Sequence, residues 1–88
     1  MNKNLIFTAT YNEVDNISTF LDIVLKIPHI DILIVDDNSP DKTGDIISKY
    51  QKKNKNLFLI NRNGKEGLGS AHKIGFNFFK EKKYENLI

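Results

Sequence analysis

Short, nearly continuous apolar runs alternate along this chain with segments whose apolar residues recur at helical spacing. Leu5-Ile6-Phe7 is closed by small and polar residues and reads as a buried strand. Asn12 then offers a helix N-cap, with Asp15 three residues later. Ile17, Phe20, Leu21, Val24 and Leu25 follow on one helical face until Pro28. Ile30 to Val35 is a second strand, closed by Asp36-Asp37. Ser39-Pro40 supplies a cap followed by a proline at the first helical position, and Ile46, Ile47 and Tyr50 give that helix its apolar face. Leu57 to Ile60 is a third strand. The glycine-rich turn Gly64 to Gly69 opens a third helix that buries Ala71, Ile74 and Phe78, with Phe79 at its border. Tyr84 to Ile88 reads as the start of a fourth strand. Strand and helix alternate throughout, so the expected class is α/β, a parallel sheet covered by helices. A sheet that stops just as a strand begins reads as the N-terminal part of a larger domain, spanning 1–88.

Composition narrows the picture a little. With 40% hydrophobic and 27% charged residues the chain fits a globular domain and not a disordered one. At 88 residues it buries only a limited share of its surface. A net charge of +2 without a dominant basic arm gives no indication of nucleic acid as a partner. The densest basic stretch, Lys49 to Lys55, reads as a solvated helix end or as a weak attraction for anionic headgroups. The absence of cysteine excludes disulfides and thiolate metal sites and suits a reducing compartment. The first apolar run is too short for a signal-peptide core, and none approaches the roughly 20 residues of a membrane span. The expected location is therefore cytoplasmic, with work at a membrane surface still open.

Parallel sheets of this kind bind ligands at the carboxyl ends of their strands. Three polar clusters fall there: Thr10-Tyr11-Asn12-Glu13, Asp36-Asp37-Asn38-Ser39-Pro40-Asp41, and Asn61 through Gly69. On one rim they can converge on a single ligand. Asp36-Asp37 carries the most information, because adjacent carboxylates repel unless hydrogen bonds, a cation or ligand hydroxyls compensate. A strand-end acid is well placed to accept from a nucleotide's ribose or base. Asn12 and Ser39 read as caps, and Asp41 as a first-turn carboxylate favoured by the helix dipole. Gly64, Gly67 and Gly69 fit either a tight turn or a helix start with amides open to an anion, where Arg62 and Lys65 add positive charge. His29 and His72 lack metal-like spacing and read as surface residues. The run Ile32 to Asn38 looks like the opening of a phosphoacceptor receiver, but no further strand-end aspartate follows at the required distance. A dinucleotide fold needs its glycines after the first strand, where this chain has Thr-Tyr-Asn-Glu.

At these clusters the sequence resembles family 2 glycosyltransferases of the GT-A fold. Ala9-Thr10-Tyr11-Asn12-Glu13 is similar to that family's Pro-Thr-Tyr-Asn-Glu turn, and Val35 through Thr43 to its Val-Asp-Asp-x-Ser-x-Asp-Gly-Thr segment. Asn38 to Asp41, with Arg62, Lys65, Gly67-Leu68-Gly69, Ala71 and Gly75, narrows the likeness to polyprenol-phosphate mannose synthases. The resemblance implies strand order 3-2-1-4 and a Rossmann-like nucleotide-binding half. It also implies transfer of mannose from GDP-mannose to a polyprenyl phosphate at the cytoplasmic face of a membrane, with Mg²⁺ or Mn²⁺. By it, Ala9, Tyr11, Glu13, Val35, Asp36 and Asp37 line the nucleotide site, with Arg62 and Lys65 nearby. Alternatives are another family 2 enzyme, such as a polyprenyl-phosphate glucosyltransferase, or a non-catalytic nucleotide-binding module. Ala9 departs from the family's proline. Lys42 stands where the family has glycine, which strains the chain if that position needs a positive φ. The family's Asp-x-Asp metal motif falls beyond Ile88, so no catalytic or metal-binding residue is assigned within the chain, and the 88 residues alone are expected to be inactive.

Overall fold

The computed structural model describes residues 3–37, 41–62 and 68–88. Its elements run β1 (Asn4–Thr10), α1 (Ile17–Val24), β2 (Ile30–Asp36), α2 (Thr43–Gln51), β3 (Leu57–Asn61), α3 (Leu68–Glu81) and β4 (Asn86–Leu87). The four strands form one sheet in the order β3-β2-β1-β4, with every neighbouring pair parallel. The α/β class and the strand order match the expectation.

β2 lies between β1 and β3, and all seven of its residues are buried. The apolar run Ile32 to Val35 within it follows from having helices on both faces. Successive strand residues point to opposite faces. Ile30, Ile32 and Ile34 pack with Ile17, Leu21 and Val24 of α1 and Ile47 of α2. Leu33 and Val35 face the other way, with Leu5, Ala71 of α3 and Tyr84. Truncating a fully enclosed residue such as Leu21 or Leu33 to alanine costs about 2–5 kcal/mol. α3 lies so near β1 that a Cβ on Gly75 would sit 2.5 Å from Phe7 Cδ1. That close approach is the physical use of this glycine.

Two helix starts differ from the sequence expectation. α1 begins at Ile17, because Asn12 adopts a left-handed φ of 55° and the Glu13 carbonyl accepts the Asn16 and Ile17 amides in a turn. Asn16 takes the cap position without a side-chain bond. α2 begins at Thr43 instead of after Ser39-Pro40, two residues that lie outside those described. The residue before it, Lys42, has φ 67°, which no continuing helix adopts. The strained alternative foreseen for Lys42 is therefore the one realised.

β4 is shorter than the run from Tyr84 suggested. Tyr84 is instead a buried anchor whose hydroxyl donates to Asp31 Oδ2 at 2.6 Å. Among the described residues no helix is long and apolar enough to cross a membrane.

Candidate functional site

The ends of the three longer strands are level. Thr10 of β1 pairs with Asp36 of β2, and Asp36 with Asn61 of β3. The segments that leave these strands therefore start from one rim. The Asp37 amide donates to the Thr10 carbonyl at 3.1 Å, and the Arg62 amide to the Asp36 carbonyl at 2.8 Å, extending the ladder one residue past each strand.

The paired carboxylates avoid mutual repulsion by turning to opposite sides of the sheet. Asp36, 1% exposed, accepts the Thr10 hydroxyl at 2.6 Å on the side of α2, where its Oδ2 lies 3.7 Å from a Cβ built on Gly44. Asp37, 8% exposed, accepts from Arg62 Nε. Arg62 Nη1 in turn donates to Ser70 Oγ of α3 at 2.8 Å. Arg62, expected beside the nucleotide, is thus a buried bracket joining the ends of β2 and β3 to the start of α3.

Ahead of the rim, Ala9, Thr10, Glu13, Asn16 and Phe20 line a cleft of about 270 Å³ between β1 and α1. Tyr11 stands at the loop's outer side, 37% exposed. Of the expected site residues, Ala9 and Glu13 line this cleft, while Tyr11 and Asp37 flank the same rim. Val35 is fully enclosed on the α3 side, so its side chain does not reach the rim. Lys65 lies outside the described residues.

Asp41 was read as a first-turn carboxylate, and the structure corrects this. It precedes α2, and it bonds more than a helix terminus. Its Oδ1 accepts the Thr43 amide at 3.2 Å and the Thr43 hydroxyl, and its Oδ2 accepts the Val14 amide at 3.1 Å. Burial pushes the Asp41 carboxyl up, but bonds from the Thr43 hydroxyl and the Val14 and Thr43 amides outweigh it and hold it below its ordinary 3.8. Thr43 Oγ1, fully buried, also accepts the Glu13 amide at 3.0 Å. Sequence reading missed Thr10, Thr43 and Ser70 as working parts. The one available signal was Asp41-x-Thr43, the spacing at which an aspartate bonds the amide two residues on.

Among the described residues no group of three or more His, Cys, Asp or Glu side chains is placed to hold a metal ion. Asp36 and Asp37, diverging and each bonded within the protein, do not fit that role.

Comparison with known proteins agrees with this architecture. The family described as glycosyl transferase family 2 matches residues 5–84. An undecaprenyl-phosphate mannosyltransferase of Micrococcus luteus is 34% identical over 85 residues, covering 96% of this chain and 35% of the relative. A polyprenol monophosphomannose synthase of Mycolicibacterium smegmatis is 32% identical over 88 residues, covering 98% of this chain and 33% of its own length. The chain thus spans about a third of these curated relatives. A mannosyltransferase from Pyrobaculum calidifontis, solved in complex with GDP-Man and Mn²⁺, superposes with a TM-score of 0.78 at 20% identity, over 86% of this chain and 24% of that one.

Proposed function

The chain belongs to glycosyl transferase family 2, and on that premise we propose that residues 1–88 form the N-terminal, donor-binding part of a GT-A mannosyltransferase. In the whole enzyme, mannose passes from GDP-mannose to a polyprenyl phosphate at the cytoplasmic face of a membrane. The bond from the anomeric carbon to GDP breaks, and one to an acceptor phosphate oxygen forms. Mg²⁺ or Mn²⁺ belongs to the same proposal, held by residues other than those described. The observation that carries the reading is the level rim, where the Thr10–Asp36–Asn61 register brings Tyr11, Glu13 and Asp37 to one edge of the sheet. Asp37 accepts hydrogen bonds from the nucleoside, the Tyr11–Glu13 loop walls its base, and Arg62 fixes the Asp37 carboxylate. The names of the two relatives, an undecaprenyl-phosphate mannosyltransferase and a polyprenol monophosphomannose synthase, support mannose and a polyprenyl phosphate as substrates.

Calorimetry of the chain with GDP-mannose, GDP and UDP-glucose tests this. GDP-mannose and GDP are expected to bind. Asp37→Asn is expected to weaken both by about 1.5–3 kcal/mol, the contribution of a hydrogen bond to a charged group. Preference for UDP-glucose would move the reading to a glucosyltransferase. No binding of any nucleotide would end it.

A further inference from the structure

Asp41 and Thr43 lie outside every set of nucleotide-lining residues named above, yet two hydrogen bonds tie them to each other and two more reach them from the distant Glu13–Val14 segment. Thr43 Oγ1 donates to Asp41 Oδ1 and accepts the Glu13 amide at 3.0 Å. Asp41 Oδ1 also accepts the Thr43 amide, and Asp41 Oδ2 accepts the Val14 amide at 3.1 Å. The two segments so joined each contain a non-glycine residue in the left-handed region, Asn12 at φ 55° and Lys42 at φ 67°. Asparagine tolerates that conformation, whereas lysine does so at a cost, which persists only when the surroundings fix the backbone. Thr43 is fully buried, so no water competes for its hydroxyl.

We infer that Asp41 and Thr43 are positioning residues for the nucleotide: a clamp that holds the Tyr11–Glu13 loop in its binding-competent form without touching the ligand. The inference rests on the donor-binding reading above and deepens it. A helix cap alone would need only the bond from Asp41 to the Thr43 amide. The bonds to Glu13 and Val14 reach across 30 and 27 positions of sequence and restrain the loop that carries the candidate base-pocket residues. A loop held in one form binds at its intrinsic affinity. A loop released among several binds more weakly, by the fraction of time it spends in the competent form.

The test compares wild type with Thr43→Val, which keeps the shape and loses the hydroxyl, and Thr43→Ser, which restores it. GDP-mannose is the probe in calorimetry, and amide hydrogen exchange is followed at Glu13 and Val14, well below each variant's unfolding temperature. Thr43→Val is expected to speed exchange at Glu13 and to weaken GDP-mannose about tenfold, the result of a competent fraction near one tenth. Thr43→Ser is expected to return both readings close to wild type. Should Thr43→Val fail to fold, Asp41→Asn serves, since asparagine has one acceptor oxygen where the aspartate uses two, and exchange is then read at both Val14 and Thr43. Faster exchange with unchanged affinity would reduce the clamp to a structural role and overturn the inference. So would a loss of affinity that Thr43→Ser fails to repair. If the wild type itself ignores GDP-mannose while remaining folded, the donor-binding reading falls and takes this one with it.

Discussion

Arg62 donates from Nε to Asp37 Oδ1 with both side chains enclosed, 4% and 11% exposed. Through Nη1 the same guanidinium holds Ser70. One cation therefore neutralises the strand-end acid and ties it to β3 and α3. Removing one member of a buried pair leaves the other charge without compensation, which costs about 3–5 kcal/mol. Arg62→Ala is expected to lower unfolding free energy by that amount in urea titrations. Arg62→Lys is expected to recover only part of it, because one compact ammonium nitrogen does not span the partners that the guanidinium reaches from Nε and Nη1. The double variant Arg62→Ala, Asp37→Ala should lose less than the sum of the single changes. Strict additivity would show that the two side chains do not depend on each other.

Lys42 carries a conformational cost that glycine would relieve. Its φ of 67° lies where a Cβ crowds the following carbonyl, a penalty of roughly 1–2 kcal/mol. Glycine adds freedom to the unfolded chain, which offsets part of the gain. Lys42→Gly is expected to stabilise the fold by about 0.5–1 kcal/mol, read as a rise of several degrees in thermal unfolding. A fall would show that the residue is not left-handed in solution.

The layout of the sheet was legible because its signal is periodic. Ile32, Leu33, Ile34 and Val35 leave no polar face, which only a strand covered on both sides permits. The starts of α1 and α2 were not legible. Asn12 and Ser39 are good caps by type, but tertiary bonds from Glu13 to Thr43 and from Val14 to Asp41 place the turns elsewhere. Those bonds join residues about 30 apart, beyond any local pattern. The site divides in the same way. The sequence marks Asp36 and Asp37 as carboxylates in need of compensation, yet cannot say that Thr10 at the end of β1 and Arg62 just past β3 provide it. Val35 enters the candidate site by likeness alone, and strand alternation turns its side chain into the core.

Asp41 gives the fold a sensitivity to acid. Its carboxyl titrates below its ordinary value in the folded chain, so the unfolded chain takes up that proton first as pH falls. The stabilisation is complete above the ordinary aspartate range and drains away as pH drops through the folded value. Asp41→Asn is expected to be less stable than wild type near neutrality, with the gap narrowing at acid pH. Urea midpoints measured from neutrality down to about pH 3 decide it. A gap that stays constant would show that Asp41 titrates alike in both states.

Tyr84 does the opposite at the alkaline end. It is 6% exposed, beside Asp31 at 5%, and its hydroxyl donates to the Asp31 carboxylate. Ionising it would bury a second negative charge against the first. Burial, followed by the Asp31 hydrogen bond and charge, therefore pushes its pKa well above the ordinary 10.0. Below about pH 10 the tyrosine is protonated in both states, so its contribution is complete. Above that point the unfolded chain releases the proton while the folded chain keeps it. Stability then falls by about 1.4 kcal/mol per pH unit until the folded value is reached. Tyr84→Phe removes the titrating group. It also takes a donor from a buried carboxylate, which costs about 1–3 kcal/mol near neutrality. The variant is therefore expected to be weaker than wild type at neutral pH and to approach it as the solution is made alkaline. The two proteins differ at position 84 alone, so the difference between the two stability curves isolates Tyr84. Parallel curves up to about pH 11.5 would mean that Tyr84 ionises as easily in the folded chain as in the unfolded one, and that its bond to Asp31 does not hold β4 to the sheet.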